Sequence, residues 1–201
     1  MAIDNINLFS HLEQLIKAGI DPTTREAEIW ERYGRTVAVL ILDSSGFSRV
    51  SETHGVLHFL SRLMLMRQAV QAVMGANQVL QMDFEADNVF AVFADPDDAI
   101  RAALQCHTVV AQNGIMLTDD EAFKVCIGIG YGPMLYSETL EGYFAKEMNF
   151  ASKLGEDTAD GGETLLTENA YANASAELVK DFEEARCAIS GLDLVHYRHR
   201  C

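Results

Sequence analysis

Apolar positions recur along this chain with several different spacings, and each spacing marks a kind of element. Over residues 5–33, Leu8, Leu12, Leu15 and Ile16 stand at i, i+4, i+7 and i+8, one stripe along a helix. Gly19 offers a stop and Asp21-Pro22 a new start, since proline suits the first helical position. A second helix carries Ala27, Trp30 and Tyr33 on one side. Residues 1–34 therefore read as a helical arm, either packed on the rest of the chain or acting as a dimerising or regulatory element.

From Arg35 the pattern becomes that of strands alternating with helices. Residues 36–42, TVAVLIL, form a continuous apolar run rich in β-branched side chains, a strand buried on both faces. It ends in Asp43, Ser44, Ser45, Gly46, Phe47 and Ser48. A long helix is expected over 55–75, with Leu57, Leu60, Leu63, Met64 and Val70 apolar and Met64, Met66 and Met74 as core filler. Strands over 78–85 and 88–93 follow, joined tightly at Ala86-Asp87, then a helix over 97–112 opened by Asp95-Pro96. Residues 123–132, FKVCIGIGYG, alternate apolar and small residues as another strand. A helix over 143–154, a strand over 164–167, a small helix near 169–174 and a closing hairpin over 185–199 complete the chain. The order β-α-β-β-α-β predicts an α+β fold: a ferredoxin-like core over 35–201 with an additional C-terminal helix and strands, preceded by the helical arm.

Composition narrows the function. Apolar residues at 49% provide for a sizeable core and exclude wholesale disorder. Asp plus Glu number 30 against 15 Lys plus Arg, a net charge of −15. Such a surface repels nucleic-acid phosphates and anionic membranes, so neither is an expected partner. No stretch approaches the roughly 20 apolar residues of a membrane helix, and the N-terminus lacks the pattern of a signal peptide. The scattered cysteines, Cys106, Cys126, Cys187 and Cys201, argue against a zinc site or a disulfide framework and favour a reducing, cytoplasmic setting. His54 and His58 stand at i, i+4 with no third ligand nearby and read as surface residues.

Two carboxylates are the candidate chemistry. Asp43 sits where the buried strand leaves the core, and the turn after it can aim backbone N–H groups at phosphate oxygens. The plain alternative is a helix cap. Asp87 lies in the tight turn between two apolar strands. In a β-α-β-β unit the first strand and the hairpin lie side by side, which brings Asp43 and Asp87 together as a site for Mg²⁺ or Mn²⁺. Ser44 stands beside that pair as a further oxygen donor. Asp83, Glu85 and Asp87 alternate and would share one face of a regular strand, either as a carboxylate-rich metal site or as a solvated edge.

The segments VAVLILDSSGFSRVSE, FEADNVFAVFADPDDAIRAAL, VCIGIGYG and GYFAKEMNFASKLGE, in that order and spacing, resemble the class III nucleotidyl cyclase catalytic domain over about residues 36 to 198. Asp43, Gly46 and Phe47 match its Asp-x-x-Gly-Phe segment, Ala86-Asp87 its Gly-Asp turn, and Asn149 its helical Asn. The resemblance implies a head-to-tail homodimer with active sites at the interface. It implies two metal ions, Mg²⁺ or Mn²⁺, on Asp43 and Asp87 of one chain, with Asn149 orienting the ribose and residue 153 stabilising charge on the α-phosphate from the other. A nucleoside triphosphate would become a 3′,5′-cyclic nucleotide and pyrophosphate. Phosphates would lie on Ser45, Gly46, Phe47 and Ser48.

Several positions depart from the family pattern. Lys153 stands where the family has Arg, keeping the charge but losing the two-pronged grip on phosphate. The base-reading positions fall on Asp83 and Gly142. Asp83 is an acceptor only, which suits guanine N1–H and N2–H₂ over adenine. Ser190-Gly191 replaces a Lys-Gly pair, leaving Arg49, Arg198 or Arg200 as substitutes for the lost charge. These departures favour an alternative: a cyclase-like domain that no longer catalyses and serves as a dimerising or nucleotide-sensing module. The GG[DE]EF-type turn of the diguanylate cyclases, which share the sheet topology, is absent; Glu85-Ala86-Asp87-Asn88 stands in its place.

Overall fold

Strand β1 (Gly34–Ser44) runs through the sheet with side chains buried on both sides. In this computed structural model, which describes residues 6–138, 142–189 and 192–201, Ala38, Leu40 and Leu42 point into one core and Val37, Val39 and Ile41 into another. Full burial of such side chains is worth about 1.5–3 kcal/mol each, which is why the run needs no polar alternation. After β1 come α3 (Phe47–His54), α4 (Val56–Ala76), β2 (Gln81–Glu85), β3 (Asn88–Phe93), α5 (Pro96–Gln112) and β4 (Val125–Ser137). The strands are ordered β2-β3-β1-β4, the ferredoxin-like arrangement expected. The sheet then continues through β6 (Glu163–Thr167), β8 (Leu192–Arg200) and β7 (Glu183–Ile189), while β5 (Gly142–Phe144) pairs separately with β4.

Helices α4 and α5 cover one face, burying Phe59, Leu63, Met66 and Val70 against Leu40, Leu42 and Ile127. The other face carries α6 (Lys146–Ser152) and a π-helical segment (Lys153–Thr158). Small helices α7 (Glu168–Asn173) and α8 (Ala176–Val179) follow β6. At the N-terminus, α1 (Leu8–Lys17) and α2 (Glu26–Tyr33) bury Leu8, Ile29 and Tyr33 with Leu135 of β4. The Tyr33 hydroxyl donates to Ile6 O at 2.9 Å, and Phe9 meets Phe144 edge-on at 5.5 Å. No helix among the described residues is long and apolar enough to cross a membrane.

Four expectations need correction. The turn after Asp43 is short, because Gly46 at φ +91° turns the chain directly into α3, a helix the sequence pattern did not announce. Strand β2 starts at Gln81 rather than 78, after Gln78 takes a left-handed backbone at φ +60°. The expected helix 143–154 splits: Tyr143 belongs to β5 and the helix begins at Lys146. The alternation of Asp83, Glu85 and Asp87 stops at Ala86, whose φ of +50° takes Asp87 out of the strand.

Candidate active site

Register explains how the two carboxylates are presented. Strands β1 and β3 pair Leu42 with Val89, and extending that ladder by two residues sets Ser44 opposite Asp87. The Ser44 hydroxyl donates to Asp87 Oδ2 at 3.1 Å. Asp43 points to the other side of β1, and the Ser44 amide donates to its Oδ1 at 2.7 Å. Burial pushes the Asp43 carboxyl up to about 6; the Ser44 N–H opposes this, and the charges of Asp87, Glu156 and Asp157 add to the rise. Four acidic side chains thus act on one region.

The turn that carries Asp87 is held from behind. Ala86 occupies a left-handed conformation where glycine is the easier residue, at a cost of about 1–2 kcal/mol. Arg67 of α4 donates to the Ala86 carbonyl and lays its guanidinium over the Phe84 ring, 4.8 Å from the centroid. The sequence reading missed Arg67, because nothing in an amphipathic helix distinguishes a residue that reaches a distant turn.

Helix α6 lies almost on the backbone of β4, and the small residues of FKVCIGIGYG are the reason. A Cβ on Gly128 would sit 2.1 Å from the Ala151 carbonyl oxygen, and one on Gly130 2.5 Å from that of Glu147. Glu147, another residue the sequence reading passed over, is only 7% exposed. Its carboxylate accepts from Thr167 Oγ1 at 2.6 Å and Asn169 Nδ2 at 2.9 Å, fixing the start of α6 to β6 and α7. Helix α6 then presents Asn149 outward. Asn149 lines an open groove of about 720 Å³ together with Asp83, Gly142, Phe90, Tyr143 and Met148. Asp83 is exposed at the sheet edge and accepts from Gln81 Nε2 at 2.8 Å. Tyr143 stacks on Tyr136 at 4.6 Å, forming an aromatic wall.

Lys153 lies one residue beyond α6, exposed, with Nζ 2.7 Å from Asp157 Oδ2; this contact raises its pKa. Of the loop residues, Ser45 is occupied: its N–H and hydroxyl both donate to the Lys124 carbonyl, at 3.2 and 3.1 Å. Phe47 packs edge-on against Phe59 at 4.9 Å and is 39% exposed. Phe47 and Ser48, exposed in the first turn of α3, have backbone N–H groups that no intrahelical carbonyl can reach.

The substitute cations proposed from sequence are engaged by carboxylates. Arg49 pairs with Glu121 at 2.6 Å, while Arg200 and Arg198 approach the buried Glu163 at 2.5 and 3.8 Å. Buried Glu163 demands such partners, so the Arg198 and Arg200 guanidinium groups are held in place. Ser190 and Gly191 lie outside the described residues. His58 bonds the Leu117 carbonyl oxygen at 2.8 Å.

Among the described residues, no three or more His, Cys, Asp or Glu side chains form a metal cage. The donor set at the β1 tip, two carboxylates and a hydroxyl, still suits Mg²⁺. That ion commonly takes one or two carboxylates and completes its shell with waters and substrate phosphates.

No protein-family model and no curated protein matches the chain. Solved structures do. The guanylyl cyclase Cya2 superposes with a TM-score of 0.69 at 16% identity, over 82% of this chain and 91% of that one. An adenylate/guanylate cyclase/hydrolase from Silicibacter pomeroyi gives 0.65 at 19%, over 82% and 96%. The catalytic core of a rhodopsin-guanylyl cyclase with converted specificity, in complex with ATPalphaS, gives 0.65 at 17%, over 83% and 95%. The chain has the fold of the class III adenylate and guanylate cyclase catalytic domains.

Proposed function

We propose that the chain is a nucleotidyl cyclase. The 3′-hydroxyl of a nucleoside triphosphate loses its proton, and its oxygen bonds to the α-phosphorus in line. The bond from that phosphorus to the bridging oxygen of the β-phosphate breaks, and pyrophosphate leaves. The observation that carries this reading is the Ser44–Asp87 hydrogen bond, which gathers the β1 tip and the β2-β3 turn beside Asp43 in a cyclase fold. Asp43 and Asp87, with Ser44, would hold two Mg²⁺ or Mn²⁺ ions. Such ions, when bound, neutralise phosphate charge and ease loss of the hydroxyl proton.

The chain's own residues divide the remaining work. The outward amide of Asn149 orients the ribose, and Lys153 meets the α-phosphate once it leaves Asp157. The amides of Gly46, Phe47 and Ser48 receive phosphate oxygens, while Ser45 steadies that loop from Lys124. Asp83 accepts from the base, favouring guanine over adenine, and Gly142 leaves room beside the Tyr143 wall. Because Asp83, Gly142 and Asn149 line an open groove, we place a second copy of the chain over it, each copy completing the other's site. The reading fits a cytoplasmic enzyme.

The test is direct. Purified protein with Mn²⁺ and each of ATP, GTP, CTP and UTP should yield a cyclic nucleotide and pyrophosphate by mass detection, with GTP ahead of ATP. A second reading, a cyclase-like nucleotide-sensing or dimerising module, draws on the Lys153–Asp157 pair and the bare Gly142. Nucleotide binding by calorimetry with no product from any of the four would favour it.

A further inference from the structure

A triphosphate at this site meets a surplus of negative charge. Asp43 already feels Asp87, Glu156 and Asp157, and the chain as a whole carries −15. Most cations are engaged: Arg49 by Glu121, Arg101 by Asp97 and Asp98, Lys153 by Asp157, and Arg198 and Arg200 by Glu163. Lys124 is among those that are not: like Arg35 and Lys146, it is exposed and makes no ion pair among the described residues.

Its location follows from register. Strands β1 and β4 pair Asp43 with Cys126 and Ser44 with Val125. The ladder goes one step further, since the Ser45 N–H donates to the Lys124 carbonyl. Residues directly opposed in a sheet share a face, as do alternate residues in a strand. Lys124 therefore stands on the Asp43 side, opposite Ser45. A Cβ on Gly161 would lie 3.0 Å from Lys124 Cβ, 3.3 Å from its Cδ and 3.2 Å from Ser45 Oγ. Bare Gly161 thus lets the lysine stem pass close beside the Ser45 hydroxyl. The same side chain lines a surface cavity of about 280 Å³ with Asp160, Gly161 and Arg200. Two carboxylates, Asp160 and Glu163, line that cavity as well; Glu163 is taken by Arg198 and Arg200, and neither pairs with Lys124.

We propose that Lys124 is the cation that receives the terminal phosphates of a nucleoside triphosphate held at Asp43 and Asp87. The inference rests on the cyclase reading given above. An ammonium on a long stem serves phosphate oxygens as a mobile point charge. The lysine backbone meanwhile fixes Ser45, so one residue both shapes the loop and neutralises the group that the loop holds. Substituting the side chain leaves that carbonyl, and hence the loop, in place.

The experiment uses the full chain with Mn²⁺ and calorimetric titration of inorganic tripolyphosphate, ATP and GTP into wild type, Lys124→Met and Lys124→Arg. Lys124→Met should weaken binding of all three by about tenfold to a hundredfold, the loss expected for one hydrogen bond to a charged group. Its affinity should also fall less steeply with salt. Lys124→Arg should stay close to wild type. The melting temperature should not move, because no ion pair is lost; Lys124→Gln replaces the Met variant if it does. Wild-type affinity in both neutral variants overturns the role of Lys124 and leaves the cyclase reading standing. A wild-type chain that binds none of the three overturns both.

Discussion

The Ser44 hydroxyl donates to Asp87 Oδ2 across 3.1 Å, joining positions 43 residues apart in the chain. Ser44 is only 4% exposed, so this is a shielded contact, and it ties the end of β1 to the β2-β3 turn. Ser44→Ala removes the donor and leaves Asp87 short of a partner. The expected outcome is a loss of about 1 kcal/mol in urea unfolding, together with weaker Mn²⁺ binding by calorimetry. A variant that binds Mn²⁺ as tightly as wild type would separate Ser44 from the metal site.

Asp43 is a residue whose stability cost and proposed role oppose each other. Burial disfavours its ionised form, and Asp87, Glu156 and Asp157 add to the repulsion. Asp43→Asn keeps the shape and removes the charge. At pH 7 and without metal, the variant should melt at a higher temperature than wild type. With saturating Mn²⁺ the order should reverse, because only wild type gains from the ion. Equal melting temperatures under both conditions would remove Asp43 from the metal-binding set.

Lys153 and Asp157 bear on whether the protein turns over. Their contact ties down a cation that the proposed reaction needs at the α-phosphate. Asp157→Asn frees Lys153 and should raise kcat, as should Lys153→Arg, which restores the forked donor. Both effects should appear in pyrophosphate release under saturating GTP. Unchanged or lower rates in both would count against the role given to Lys153.

Gly128 sets how near α6 can lie to the sheet. An added methyl would fall 2.1 Å from the Ala151 carbonyl oxygen and 2.5 Å from the Gly155 nitrogen, backbone atoms that cannot swing aside. Gly128→Ala should lower unfolding stability by about 1–3 kcal/mol and displace Asn149 with its helix. Gly75, on the exposed side of α4, has nothing within 4 Å of an added methyl. There the same substitution should stabilise by up to about 1 kcal/mol.

Acid should weaken the fold through His107. Burial lowers its pKa from 6.5 to about 4, with the His199 charge adding to the effect; its Nε2 lies 2.9 Å from Thr164 Oγ1. Between these values the unfolded chain takes up a proton that the folded chain refuses, so stability is full above pH 6.5 and falls as pH drops toward 4. By pH 5 this amounts to about 2 kcal/mol. Because Asp43, raised to about 6, gains stability over the same range, the His107 share is read as a difference: in urea titrations at pH 7 and pH 5, His107→Gln should lose about 2 kcal/mol less than wild type.

The sequence by itself determined the order of strands and helices, the doubly buried β1 and the central β2-β3-β1-β4 arrangement, because these follow from local periodicity and short connections. It also singled out the residues at the strand tips, Asp43 and Asp87, and the small-residue pattern of β4. Only the tertiary structure decided that Ser44, rather than Asp43, faces Asp87, since that depends on the register between two strands and on the left-handed turn at Ala86. Tertiary structure alone decided the pairing of cations as well. Arg49, Arg198 and Arg200 go to Glu121 and Glu163, while Lys124 makes no ion pair among the described residues. Charge partners are chosen by distance in three dimensions, and local sequence carries no record of that distance. The buried Glu147 and the reach of Arg67 to the Ala86 turn escaped the sequence for the same reason.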